Sequence, residues 1–189
     1  PKADEILDKR GIFYDKHRSI DITTSVTGTF TTEGWSVYKY TNLRSDGQPG
    51  SNTTFPDTDF PMFRLADVYL MYAEAVARGG QGGSMATAVQ YINALRQRAY
   101  GDTFHGINEA WLRENNFRNI LDERQRELYW EGTRRTDLIR YGLFTSGNYL
   151  WTFKGGVLGG VGVNGRYNVF PIPTTDLSVN GNLKQNEGY

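Results

Sequence analysis

Leu65-Ala66-Asp67-Val68-Tyr69-Leu70-Met71-Tyr72-Ala73-Glu74-Ala75-Val76-Ala77-Arg78-Gly79-Gly80 is the stretch that decides the fold. Leu65, Val68, Tyr69, Tyr72 and Val76 fall on one helical face, an apolar stripe by periodicity. Asp67, Met71, Glu74 and Arg78 lie on another, with Glu74 and Arg78 placed as an i,i+4 ion pair. Gly79-Gly80 ends the helix, and Gln81-Gly82-Gly83 is its turn. Ser84 is the N-cap of a second helix, along which Ala88, Ile92, Leu95 and Ala99 repeat at helical spacing. Alanines at 73, 75, 77, 86, 88 and 94 let two antiparallel helices approach closely. Phe63 to Ala99 therefore reads as a helical hairpin the size of one tetratricopeptide-like repeat.

Further along, Asn115 or Asn116 opens a third helix with Phe117, Ile120, Leu121 and Leu128 on its apolar side, and Gly132 ends it. A short fourth helix runs from about Thr133 to Tyr141 and closes at Gly142. Two hairpins in series imply an α-solenoid-like stack. The flanks differ in composition. Residues 1–60 are rich in turn formers, with a short alternating strand at Ser36–Tyr40. Residues 142–189 are Gly-rich, with only Lys154, Arg166, Asp176, Lys184 and Glu187 charged. The expected fold is mainly α: tetratricopeptide-like hairpins, a loop-rich and partly β N-terminal segment (1–60), and a Gly-rich extended tail closing the helical region (61–189). The two segments are expected to form one structural unit of a larger protein.

Composition excludes several functions. The 189 residues carry 21 basic and 21 acidic side chains and no cysteine. Disulfides and thiolate metal sites are absent, and no net basic charge invites a nucleic-acid backbone. His17 and His105 have no partner at a ligand spacing, so no His-type metal site is expected; Asp46, Asp57 and Asp59 sit in loops and leave an oxygen-ligand Ca²⁺ site open, without EF-hand spacing, and no metal is assigned. Gly160-Val161-Gly162-Val163-Asn164-Gly165 matches G-x-G-x-x-G, but the Arg166–Pro171 stretch after it reads as extended chain, not as the helix a dinucleotide site needs. No cofactor is expected.

Residues 113–140 hold thirteen charges, seven of them Arg. One reading is a catalytic carboxylate pair among Glu114, Glu123, Glu127 and Glu131, as in glycoside hydrolysis. The plainer one is a structural network of Arg124, Glu127, Glu131, Arg135, Asp137 and Arg140. Arg lies within four positions of each glutamate of the helix, which keeps those carboxylates paired and ionised. No catalytic residue is assigned. Aromatic residues make up 14% of the chain, and several lie in loops. Trp35 and Tyr38 are candidate stacking platforms for the apolar face of a sugar ring, with Asn42 and Arg44 as polar partners. Tyr149, Trp151 and Phe153 alternate in the tail.

The residues from Asp59-Phe60-Pro61-Met62-Phe63-Arg64 through Ala75 resemble the hairpin opening of the SusD/RagB family. Ile92-Asn93 with Arg96 and Arg98-Ala99 resembles its next motif. Glu123-Arg124, Glu127-Leu128, Glu131-Gly132, Arg134 or Arg135, and Asp137-Leu138-Ile139-Arg140 follow in the family's order. So do Phe170-Pro171-Ile172-Pro173, Asn180, Leu183, Gln185-Asn186 and Gly188-Tyr189. Tyr100 stands where relatives usually have Gly, and Glu187 where they usually have Pro; both are local turn changes.

The resemblance covers nearly the whole chain and corresponds to the family's C-terminal portion. It implies an outer-membrane, cell-surface protein that binds oligosaccharides or other nutrients without cleaving them. Its partner would be a SusC-like TonB-dependent transporter, and its membrane contact a lipid anchor on a cysteine outside this chain. The family's N-terminal helical half would also lie outside, which leads us to expect an exposed apolar patch on the hairpins. The alternative is a helical-repeat scaffold that docks a transporter without binding glycan itself.

Overall fold

The computed structural model describes residues 6–23 and 31–189. The chain divides into two compact units. One contains residues 1–21 and 31–134; the other contains residues 22–30 and 135–189.

In the first unit, strand β1 (Phe13–Tyr14) pairs antiparallel with β2 (Ser36–Val37), Phe13 opposite Val37. The helices follow: α1 (Leu65–Ala77), α2 (Met85–Tyr100), α3 (Glu109–Arg113), and, after a 3-10 turn at Glu114–Phe117, α4 (Arg118–Leu128). Helix α1 packs along α2 and also meets α3 and α4. The expected hairpin is there. Ser84 accepts a hydrogen bond from the Thr87 N–H, which satisfies a donor otherwise orphaned at the start of α2. Gly79 follows the end of α1 at φ +94°, and Glu74 pairs with Arg78 at 2.9 Å. Gly83 is dictated by packing: a Cβ there would sit 2.5 Å from a Val76 methyl and 2.8 Å from the Tyr72 hydroxyl.

The buried face of α1 is not the expected stripe. Ala66, Leu70, Ala73 and Ala77 are buried, against Ala88, Ile92 and Leu95 of α2 and Leu112, Ile120 and Leu128 beyond. Tyr69 and Tyr72 are partly buried; Tyr69 stacks on Tyr91 with ring centroids 4.1 Å apart, and Tyr72 meets it edge-on at 5.1 Å. Leu65 is 64% exposed and Val68 50%. Size explains the reversal. Close helix contact needs small side chains, so the alanine row faces inward and the bulky residues at the margin stay outside. Met71 is also exposed on this side, as are Met62 and Phe63 just before the helix.

Two further boundaries differ from expectation. Asn115, Asn116 and Phe117 all have left-handed backbone angles and precede α4, so neither asparagine starts the helix. Helix α4 ends at Leu128, before Gly132, because Tyr129 turns extended (ψ 144°) and Trp130 is left-handed. Helix α3 had no counterpart in the sequence reading; Asn108 caps it by accepting from the Trp111 N–H.

The second unit holds nearly all of α5 (Arg134–Arg140), the 3-10 turns Lys154–Gly156 and Gly165–Asn168, and α6 (Thr174–Val179). Gly142 lies at φ +67° just beyond α5, as expected. The G-x-G-x-x-G stretch leads into a single 3-10 turn and then extended Val169. Among the described residues, no helix is long and apolar enough to cross a membrane.

Candidate functional site

Helix α4 presents Glu123, Glu127 and, just past its end, Glu131 as a row at four-residue intervals. Their partners come mainly from distant segments, not from the neighbouring arginines of the sequence reading. Glu123 is 0% exposed. It accepts from Arg10 at 2.8 Å, Arg96 at 2.6 Å and the local Arg126 at 2.8 Å. Glu127 accepts from Arg10 at 3.1 Å, Arg64 at 3.0 Å and Arg98. Glu131 accepts from both Lys39 and Arg64. Arg10 also grips Asp8 through Nε and Nη2. Arg124 turns to Asp67 at 2.7 Å, and Arg140 pairs with Asp137 at 2.7 Å. Arg135 stands outside any carboxylate pairing found among the described residues. Its guanidinium lies 4.0 Å from the Phe170 ring centroid and 5.1 Å from that of Phe144, and Nη2 donates to the Tyr167 carbonyl at 2.7 Å.

The electrostatics follow from this geometry. Burial pushes the Glu123 carboxyl up, but the Arg10 and Arg126 guanidiniums outweigh it and hold its pKa below the ordinary value. Burial opposes ionisation of Glu131 as well, and hydrogen bonds from Arg64 and Lys39 prevail. Asp8 is lowered in the same way by Arg10. The unfolded chain therefore holds these protons to higher pH than the folded one. The stabilisation is complete above the unfolded carboxylate range, about 4, and is lost as pH falls through the lower folded values. The urea midpoint should hold from pH 7 to about 5 and drop steeply toward pH 3. A midpoint unchanged at pH 3 would show that these pairs add no net stability.

This row also decides what the carboxylates cannot do. A general acid needs a raised pKa and a free path to substrate. Each of these groups is engaged by two or more cationic side chains, Glu131 by Lys39 as well as Arg64, and Glu123 and Glu131 have lowered values, the reverse of what that role requires.

The aromatic candidates occupy different settings. Trp35 is half-buried and packs on Phe13 (6.1 Å), which in turn meets Tyr129 (5.9 Å). Tyr38 is 52% exposed. Asn42 and Arg44 line a cleft of about 240 Å³ together with Gly50 and Asp57. Asn42 is largely spent on the loop itself: its side chain donates to the Asn52 carbonyl at 2.6 Å and accepts from the Asp57 N–H at 3.0 Å. Arg44 is exposed and pairs with Asp46 at 3.1 Å.

A larger cleft of about 630 Å³ lies in the second unit, and sequence reasoning did not assemble it. Phe144, Trp151, Tyr167, Phe170 and Tyr189 give it rings, and Arg135 and Lys154 give it charge. Lys154 is 2% exposed; its ammonium donates to the carbonyls of Leu143, Ser146 and Tyr149 and lies 4.6 Å from the Trp151 ring centroid. Gly160 must be Gly, since a Cβ would come within 2.5 Å of the Trp151 carbonyl and its φ is +75°. The only signal in the sequence was the coincidence of rings, glycines and few charges after residue 142.

The first unit is thus a helical hairpin braced by a row of ion pairs, with exposed rings in its loops. The chain belongs to the SusD family, whose sequence model matches residues 21–189. It is 47% identical over 158 residues to the starch-binding protein SusD of Bacteroides thetaiotaomicron, covering 84% of this chain and 26% of that protein. It is 33% identical to the SusD-like protein P25 of Formosa agariphila, covering 93% of this chain and 32% of that one. The chain thus spans about a quarter to a third of the length of these relatives. A crystal structure of a SusD-like protein from Bacteroides fragilis superposes with a TM-score of 0.52 at 24% identity, covering 74% of this chain and 28% of that one, a likeness of fold.

Proposed function

We propose that this protein is a cell-surface component of an outer-membrane nutrient uptake system and binds oligosaccharide without cleaving it. The observation that carries the proposal is its 47% identity to a protein named for starch binding, sustained over 84% of the chain. The engaged glutamate row supports binding over hydrolysis. In this reading residues 1–60 are the loop-rich segment that meets ligand, and 61–189 the helical region that carries it. The partner is a SusC-like TonB-dependent transporter, and a lipid anchor holds the protein at the outer membrane. The outer side of α1, with Leu65, Val68 and Met71 exposed, favours a second reading in which the hairpin docks a partner protein.

In this reading Trp35 and Tyr38 are the stacking platforms, Tyr38 the more exposed of the two, with Asn42 and Arg44 as polar partners. Affinity electrophoresis of the full-length protein should show retardation in soluble starch, the first glycan to try, or in another member of a polysaccharide panel. Tyr38→Ala should weaken that binding about tenfold, the loss of about 1.4 kcal/mol expected for an aromatic stacking contact. Retardation by no glycan would overturn the proposal. Unchanged affinity in Tyr38→Ala would remove this ring from the site.

A further inference from the structure

The cleft of the second unit has a chemistry of its own. Its walls are mostly apolar, several of its rings are partly accessible, and among the described residues no Asp or Glu side chain lines it. Phe170 is 69% exposed. The two cations beside these rings differ in kind. Lys154 is consumed internally: three N–H donors meet three backbone carbonyls, so its ammonium sets the local charge and the shape of the 143–154 loop but has no donor for a guest.

Arg135 is arranged the other way. Rings flank its guanidinium, and stacking uses the faces of that group while its hydrogen bonds lie in the plane. The Tyr167 carbonyl takes one N–H and fixes the orientation. The rest of the fork remains, beside the rings of Phe144 and Phe170. A pre-oriented guanidinium in an apolar cleft with no Asp or Glu side chain among its described lining residues is suited to a planar two-oxygen anion. The volume of about 630 Å³ is that of a site for a small organic ligand.

We propose that this cleft is a second ligand site, and that it takes a ring compound with one apolar face and a carboxylate. The ring lies against the exposed aromatics at Trp151 and Phe170, and the carboxylate meets the free edge of Arg135. This goes beyond the glycan reading above and uses neither Tyr38 nor the Asn42 cleft, so either can fail without the other.

The test is titration of the full-length protein, followed by Trp fluorescence and calorimetry. Three probes are used: a galacturonic acid trimer, the corresponding neutral galactose trimer, and benzoate. We expect at least one carboxylate probe to bind and the neutral trimer to bind at least tenfold more weakly. Benzoate alone would mark an aromatic acid as the guest, and the uronate trimer alone an acidic sugar. Arg135→Lys keeps the charge but loses the planar fork, and should weaken binding about tenfold. Phe170→Ala removes an exposed ring at little cost to folding, and should weaken it severalfold. Equal affinity for neutral and acidic trimers, no binding of either carboxylate, or wild-type affinity in both variants would overturn the proposal. Starch retardation in Arg135→Lys should be unchanged, which separates this site from the first.

Discussion

Glu127→Ala should be strongly destabilising, costing about 3–5 kcal/mol. The side chain is 2% exposed and receives Arg10, Arg64 and Arg98. Truncating it leaves part-buried guanidiniums facing one another around an empty position. Desolvation already charged against the ion cluster is not recovered, while the attraction that offset it is gone. Urea unfolding at pH 7 measures this directly. The reference is Arg44→Ala, whose pair with Asp46 is exposed and should be worth under about 1 kcal/mol. Similar midpoints for the two variants would mean that Glu127 is not a node of the scaffold.

Leu70→Ala should cost about 2–5 kcal/mol, by lost burial and by the cavity left between α1 and its neighbours. Leu65→Ala, five residues earlier on the same helix, should cost under about 0.5 kcal/mol. The pair decides between two faces of one helix. Leu70 is completely buried and Leu65 mostly exposed. If Leu65→Ala proved the more damaging, the helix would be packing through the stripe that periodicity alone selects.

That contrast shows what sequence could and could not give. The existence of α1 and α2, the Gly79 stop, the Ser84 cap and the inward row of α2 are local properties, and each was legible. The inward face of α1 was not, because two faces carry apolar residues and only the space left by α2 and α4 chooses between them. The same holds for the charges. That the glutamates would be paired could be read from the density of arginine. That their partners would be Arg10, Lys39, Arg64 and Arg96 could not, since residues up to 117 positions apart must first be brought together. Arg135 shows the opposite error: a cation among carboxylates in sequence lies among rings in space. The aromatic cleft was illegible for a related reason. Phe144, Trp151, Phe170 and Tyr189 share no period, and only the turns between them make a wall.

Lys39 and Arg64 end on the same carboxylate, Glu131. The chain between them leaves one point of the scaffold and returns to it, as an Ω-loop does. Inside that span the main interactions are its own: Ser51 with Asp57, Asn42 with Asn52, Arg44 with Asp46. A span clamped at both ends on one anchor can change its interior residues, and even its length, at small cost to the helices below, since loop-closure entropy grows slowly with length. Residues 40–63 are thus an exchangeable cassette. Transplanting the corresponding loop of a relative, with Lys39, Arg64 and Glu131 kept, should leave the unfolding midpoint of the helices below little changed.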